Sequence, residues 1–423
     1  MNEPLPEVPA EAIASMVARH VARAESYLAL VRRHGSPLYV LDRQALRDRA
    51  RRFSDAFAAA MGRPTRVYYA MKSNNCPDVA AVMVACGLGL DVSSGRELQV
   101  ALDLPAESII FSGPGKTDAE LALAVGHAGR VTILIDSFSE LARLEALASA
   151  RGATVRAGVR LTVDPRGFWR KFGIPLADLG RFFDEADRCG HVDLRGLQFH
   201  TSWNLRPSAQ TDFLGQLGRT LRALPARQVS ALEFVDIGGG YWPESGEWLQ
   251  TAATPAGTLR HMLSADALPD PRRWWKAGTP IEDFAAALAA AAAEHLPLEG
   301  ATICLEPGRW LCNDGMHLLM RVVDRKAPDL VITDAGTNAV GWERFETDFF
   351  PVVNLTRPAL AEQACDVHGC LCTPHDIWGY AYWGESIAPG DVLLVPSQGA
   401  YTYSLRQDFI KPIPPVVPLD AAE

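Results

Sequence analysis

Lys72 follows the apolar run Val67-Tyr68-Tyr69-Ala70-Met71 and precedes Ser73-Asn74-Asn75. An ammonium at the end of an apolar strand is partly desolvated. Desolvation lowers its pKa, and the neutral amine can form a Schiff base with an aldehyde. Taken alone, Lys72 reads as a surface charge at a strand end. Three further segments change that. Phe199-His200-Thr201-Ser202 offers an imidazole that can stack on a planar ring. Asp236-Ile237-Gly238-Gly239-Gly240 offers three glycines, whose peptide N–H groups can approach an anion closely. Glu306-Pro307-Gly308-Arg309 offers a carboxylate and a guanidinium able to take a phosphate or carboxylate in two bonds. Each has a plain structural reading too: a satisfied histidine, a flexible turn, a surface Glu–Arg turn.

Together they are an aldehyde-reactive amine, a stacking ring, an anion loop with an arginine, and a carboxylate. That set meets the needs of pyridoxal 5′-phosphate (PLP): a Schiff-base lysine, a phosphate cup and a partner for the pyridine nitrogen. A carboxylate there keeps the nitrogen protonated and the ring strongly electron-withdrawing. Such a ring suits steps that leave a carbanion, among them loss of CO2.

Chemistry of this kind needs strand ends that converge. Eight β-like runs alternate with helical patterns: Thr65–Lys72, Gly87–Ser94, Ser108–Pro114, Val131–Ser137, Val155–Val163, Leu194–Ser202, Leu232–Gly240 and Ala301–Arg309. Helical stretches such as Asp118–Gly126 and Ser139–Ala150 lie between them. About eight β/α units in roughly 250 residues predict an α/β chain built as a TIM-like (β/α)8 barrel, with a doubly wound open sheet as runner-up. Lys72, His200, Gly238 to Gly240 and Glu306 would then sit at C-terminal strand ends, where barrels do chemistry.

After Arg309 strand-like runs follow one another, at Met316–Asp324, Leu330–Asp334, Phe349–Leu355 and Val392–Val395. The expected domains are 1–44, a segment whose strand Pro37–Leu41 joins the C-terminal sheet; 45–310, the barrel; and 311–423, a mostly β, sandwich-like domain. The insert 242–280 carries Trp242, Trp248, Trp274 and Trp275 and has the length of a functional loop. It reads equally as a lid and as a structural clamp or dimer contact.

With 48% hydrophobic and 22% charged residues among 423, the chain can bury a large core. A net charge of −9 with no basic block speaks against nucleic acid. No run of about 20 apolar residues predicts a membrane span; the alanine-rich Phe284–Ala293 reads as a helix. The acidic, proline-bearing start is unlike a signal peptide. Eight scattered cysteines then fit free thiols in the cytoplasm.

From Pro37 to Lys411 the chain resembles the ornithine/diaminopimelate decarboxylase family of fold-type III PLP enzymes, with its alanine racemase-like barrel. The resemblance is carried, in order, by PLYVLD, YYAMKSN, DVSSGREL, KFGIP, FHTS, DIGGGY, EPGR, RPAL, CTPHD and GAY. It implies that Lys72 is the Schiff-base lysine and His200 the stacking ring. Gly238, Gly239 and Gly240 would hold the phosphate with Arg309 and Tyr401 nearby. Glu306 would pair with the pyridine nitrogen, and Asp91 would support the neighbourhood of Lys72. Cys372 matches the cysteine that returns a proton after CO2 leaves, given in the family by the partner subunit, so a homodimer with shared active sites is implied.

Substrate positions depart from the pattern. The acidic residue after the cysteine, which in relatives binds a distal ammonium, is Thr373 here, while Asp376 is kept. Arg357 matches the arginine that grips a distal carboxylate in diaminopimelate decarboxylases, but the tyrosine that follows is replaced by Ala361. Trp203 follows His200-Thr201-Ser202 where a serine is common. The expected substrate is an amino acid or amino-acid conjugate, free or carrier-bound, with a distal carboxylate or bulky polar group. It would contact Arg309, Arg357, Thr373, Asp376 and Tyr401. Relatives of that kind occur in siderophore and other secondary-metabolite pathways. The alternatives are diaminopimelate decarboxylation proper, a racemase or epimerase on the same barrel, and a non-catalytic regulator. A metal site at His368, Cys370, Cys372 and His375 is disfavoured, since Cys370 and Cys372 would face opposite ways on an extended segment.

Overall fold

The computed structural model describes residues 5–263, 270–341 and 347–422; the other residues, including 264–269 of the insert, lie outside the described set. In chain order the strands are β1 (Leu38–Leu41), β2 (Thr65–Ala70), β3 (Gly89–Val92), β4 (Ile109–Phe111), β5 (Val131–Ile135), β6 (Val155–Leu161), β7 (Val192–Phe199), β8 (Phe234–Asp236), β9 (Glu247–Gln250), β10 (Arg273–Lys276), β11 (Thr302–Leu305), β12 (Met316–Ala327), β13 (Leu330–Thr333), β14 (Val353–Asn354), β15 (Glu362–His368), β16 (Ile377–Trp383), β17 (Val392–Val395) and β18 (Val416–Pro418). They fall into two compact units: Arg47–Glu244 with Thr279–Leu311, and Met1–Leu46 with Ser245–Gly278 and Cys312–Glu423.

The first unit is the barrel. β2 to β8 run parallel in order, and β11 closes the ring by pairing with β8 and with β2, Ile303 opposite Thr65 and Leu305 opposite Val67. That closure excludes the open sheet. All eight expected barrel strands are present, each shorter than its apolar run, because the run continues into the loop at the C-terminal end. Tyr68, Ile110, Leu134, Phe234 and Cys304 fill the interior. Phe234 fits because glycines face it: a Cβ on Gly196 would lie 2.1 Å from its ring, and one on Gly158 2.9 Å. The intervening helices start on side-chain caps. Ser94 accepts from the Glu97 N–H, Ser137 from Glu140, and Thr117 with Glu120 forms a capping box.

The second unit is an eight-stranded sheet, ordered β13-β15-β16-β14-β17-β12-β1-β18. β1 pairs antiparallel with β12, Leu38 opposite Leu319, and parallel with β18. The amphipathic helices Ala10–Val21 and Ala24–His34 put Val17, Tyr27 and Leu30 against Leu38, Val40, Leu319 and Leu394 in its core. A division at residue 310 would put the tryptophan insert with the barrel. Instead 245–278 groups with this sheet. The physical reason is pairing: β9 and β10 form an antiparallel ribbon with Trp248 opposite Trp275. Bridges tie Trp274 to Glu7 and Leu249 to Asp348, and Trp248 stacks on Phe349. No helix among the described residues is long and apolar enough to cross a membrane. The alanine-rich run is the amphipathic helix Ile281–His295.

Candidate active site

Lys72 lies in the single turn Met71–Ser73 that follows β2. The turn is pinned from inside: Tyr69 donates to the Asn74 carbonyl at 2.8 Å and Ser73 to the Ala70 carbonyl at 2.8 Å. The Glu306-Pro307-Gly308-Arg309 segment backs it, with the Ala70 N–H donating to the Pro307 carbonyl and a Cβ on Gly308 only 2.8 Å from Ser73. So the lysine turn and the carboxylate segment are built against each other. Lys72 Nζ stands 3.2 Å from Oδ2 of the fully buried Asp91. Ser112 donates to the other Asp91 oxygen. Burial, then the charge of Glu306, push the Asp91 carboxyl up, with Lys72 opposing.

His200 follows β7. Its Nδ1 lies 3.1 Å from the Gly239 peptide nitrogen and 3.5 Å from Glu306 Oε2, and its Nε2 lies 3.4 Å from Ser202 Oγ. Burial takes the ring's pKa down to about 4, with the Glu306 contact opposing, so the imidazole is neutral at pH 7. The Trp169 ring is 6.4 Å away between centroids.

The glycine triplet is required sterically. Gly238 and Gly240 have φ of 68° and 84°. A Cβ on Gly239 would sit 2.2 Å from the Glu306 carbonyl oxygen, and one on Gly240 2.4 Å from that of Thr201. Asn204 Nδ2 and Gln210 Nε2 hold the loop through the carbonyls of Gly239 and Ile237, both at 2.9 Å. Two of the peptide N–H groups have internal acceptors, Gly238 on Asp236 and Gly239 on His200.

Glu306 is buried one residue beyond β11. Burial opposes its charge, and the adjoining His200 ring with the cations Lys72 and Arg160 outweighs burial, so the carboxyl is held low. Gln198 Nε2 donates to both its oxygens, at 3.2 and 3.4 Å. Arg309 begins the next helical turn, with its guanidinium 4.2 Å over the Trp242 ring.

Gln198, Asp236, Arg160 and Trp169 are mouth residues that sequence reasoning assigned no task. Gln198 and His200 are two apart, as are Asp236 and Gly238; that period of two was the available signal. Arg160 donates to the Ser112 carbonyl at 2.9 Å and lies 4.5 Å over Phe172, and nothing in its local sequence marks it.

In the sheet unit, Cys372 is exposed in the loop after β15. Asp376 is not available to a substrate as expected. It is 1% exposed, and its oxygens accept the Thr337 N–H at 2.7 Å and the Leu371 N–H at 2.6 Å. Its carboxylate shapes the Cys372 loop, a duty that no spacing in the sequence shows. Thr373 Oγ1 faces the His375 N–H at 3.5 Å. Arg357 is met by Asp391 at 3.5 Å and Ser386 at 3.2 Å. Tyr401 is half-buried with φ of 58°. Cys370 donates its thiol to the Asp334 carbonyl. No group of three His, Cys, Asp or Glu side chains among the described residues could hold a metal ion.

The barrel mouth fits PLP by its donor set. It holds a primary amine beside a carboxylate, a neutral imidazole, a buried carboxylate kept ionised, and a glycine loop that admits no Cβ. The sequence model described as the pyridoxal-dependent decarboxylase, pyridoxal binding domain, matches residues 43–313. The chain belongs to the pyridoxal-dependent decarboxylase family. Diaminopimelate decarboxylase of Mycobacterium tuberculosis is 30% identical over 410 residues, covering 90% of this chain and 85% of that protein. The Mycobacterium leprae enzyme of that name is 31% identical over 396 residues, covering 89% and 80%. Among solved structures, Helicobacter pylori diaminopimelate decarboxylase complexed with L-lysine superposes with a TM-score of 0.72 at 22% identity, covering 90% of this chain and 91% of that one. Vibrio vulnificus lysine/ornithine decarboxylase complexed with putrescine gives 0.72 at 21%, covering 95% and 98%. These structures share the fold of this PLP-dependent carboxy-lyase.

Proposed function

We propose that this decarboxylase acts on an amino acid or amino-acid conjugate with a distal carboxylate or bulky polar group. We also propose that it works as a homodimer, with the partner subunit's Cys372 completing each site. The observation that carries the substrate reading is Thr373: the position next to Cys372 presents a hydroxyl, with no charge for a distal ammonium. Arg357 supplies the complementary charge, oriented by Asp391 and Ser386.

Bound PLP supplies the electron sink that accepts the charge left when CO2 departs. The chain's own groups do the rest. The Lys72 amine anchors the cofactor, and Asp91 fixes its Nζ at the mouth. The neutral His200 ring offers a stacking face without adding charge. Glu306 would accept the hydrogen bond of the ring nitrogen, while Arg309 would serve the phosphate with the glycine loop. Cys372 Sγ gives up the proton that replaces the lost carboxyl. Asp376 acts through the loop it folds, as a positioning residue for Cys372.

A second reading, diaminopimelate decarboxylation proper, is favoured by 30% identity to the M. tuberculosis enzyme along nine-tenths of the chain. CO2 release from carboxyl-labelled substrates separates the two. The panel is meso-diaminopimelate, lysine and ornithine against dicarboxylic and N-acylated amino acids. Fastest release from diaminopimelate would replace the first reading by the second. Exchange of the α-proton with solvent and no CO2 would favour a racemase.

A further inference from the structure

Asp236 is a buried carboxyl at the barrel mouth to which cofactor and substrate give no task. It ends β8 at 0% exposure, in register with Gln198 on β7 and Cys304 on β11. Glu306 lies two residues beyond Cys304 and shares its inward face. Asp236 Oδ1 accepts the Gly238 N–H at 2.9 Å. Oδ2 is buried, and no N–H or O–H donor among the described residues reaches it. Across the β8–β11 pairing, where the Glu306 N–H donates to the Gly238 carbonyl, the Glu306 carboxyl adjoins that of Asp236 and raises it by its charge and hydrogen bonding.

Two carboxyls in such contact, away from water, do not both ionise; one proton lies between them. The surroundings decide who keeps it. Glu306 receives the Gln198 amide on both oxygens and stands near the cations Lys72 and Arg160. Asp236 has a single peptide N–H. We propose that Asp236 is a positioning residue: kept as the carboxylic acid, it donates its proton to the Glu306 carboxylate and, with Gln198, fixes that carboxylate as the acceptor for the cofactor's ring nitrogen. The proposal rests on the assignment of Glu306 to that nitrogen. Burial and the Glu306 charge both drive the Asp236 carboxyl well above the ordinary range, in agreement.

Asparagine tests it, because its amide can donate to Glu306 while its oxygen still accepts the Gly238 N–H. Leucine has the size and no donor. The infrared spectrum of the wild-type apoprotein at neutral pH should show the carbonyl band of a buried protonated carboxyl, and Asp236→Asn should remove it. In absorbance titrations Asp236→Asn should bind PLP within about threefold of wild type, and Asp236→Leu about tenfold or more weaker. Absence of the band from wild type, its survival in Asp236→Asn, or equal loss of affinity in both variants would overturn the proposal. Glu306→Gln separates its failure from that of the underlying assignment. If Glu306→Gln leaves PLP affinity and the bound cofactor's absorbance unchanged, Glu306 does not serve the ring nitrogen. If it changes them while Asp236→Leu does not, Asp236 alone is misassigned.

Discussion

Replacing Gly239 by alanine should damage cofactor binding and catalysis through one contact. Gly239 does not have the left-handed φ of its neighbours Gly238 and Gly240, so alanine is not strained by its own backbone. The added Cβ would stand 2.2 Å from the Glu306 carbonyl oxygen and 3.4 Å from His200 Cε1. A tolerable carbon–oxygen contact is about 3.2 Å, so one backbone segment must yield by about 1 Å. Neither is a flexible side-chain end. One carries Glu306; the other holds the N–H that fixes His200. Overpacking of this sort costs about 1–3 kcal/mol of stability, and a displacement of about 1 Å at a reacting centre costs about 100-fold in rate. Gly129→Ala is the control, an exposed turn position with nothing within 4 Å of the added carbon. PLP titration, CO2 release and urea denaturation on both variants give the comparison. If Gly239→Ala keeps PLP affinity and kcat/KM within about threefold of Gly129→Ala, the packing of Glu306 against the glycine loop is not what aligns the site.

Acid should destabilise the sheet unit through His317. Burial lowers its pKa from 6.5 to about 4; the unfolded chain then binds the extra proton first. The stabilisation is complete above pH 6.5 and is lost as pH falls toward about 4, by about 3 kcal/mol. His317→Asn should flatten the loss over that window in urea melts, and an unchanged slope would refute the assignment. The ion pair of Lys116 and Glu140, 1% and 2% exposed at 2.8 Å, should be worth about 3–5 kcal/mol when one partner is removed, as in Lys116→Met, with most of it recovered by adding Glu140→Leu. Equal stability of single and double variants would refute that. Mixing inactive Lys72→Ala and Cys372→Ala chains should restore about a quarter of wild-type CO2 release if subunits share sites and reassort at random. No recovery after reassortment would place both residues' work within one chain.

The barrel was legible because each strand is a short apolar run ending in residues of unusual type. Lys72, His200 and Glu306 declared themselves by standing where an apolar run stops. β15 stayed unread: Glu-Gln-Ala-Cys-Asp-Val-His has three exposed residues in succession and little alternation, and its strand state comes from pairing with β13 and β16. The helices Ala10–Val21 and Ala24–His34 start on Pro9 and Arg23 with no side-chain cap, so only their apolar stripes mark them. Asp376 was misread for a reason no spacing exposes: the donors that occupy it are the peptide groups of Thr337 and Leu371. Arg160 was missed because its partners, Ser112 and Phe172, come from loops distant in sequence.

Three carboxyls point into one barrel mouth, and composition does not distinguish them. Environment does. Asp91 is raised by burial but keeps Lys72 and Ser112 as partners. Asp236 is raised by burial and by the Glu306 charge, with the Gly238 N–H opposing. Glu306 alone is held low, by the adjoining His200 ring with Lys72 and Arg160. A group that pairs with a protonated pyridine nitrogen must be an anion across the working pH range. Asp236 fails that requirement, and Asp91 is already committed to Lys72. Carboxyls pushed apart in this way divide the tasks among themselves, so charge supports the proposal that Glu306 serves the ring nitrogen independently of its motif.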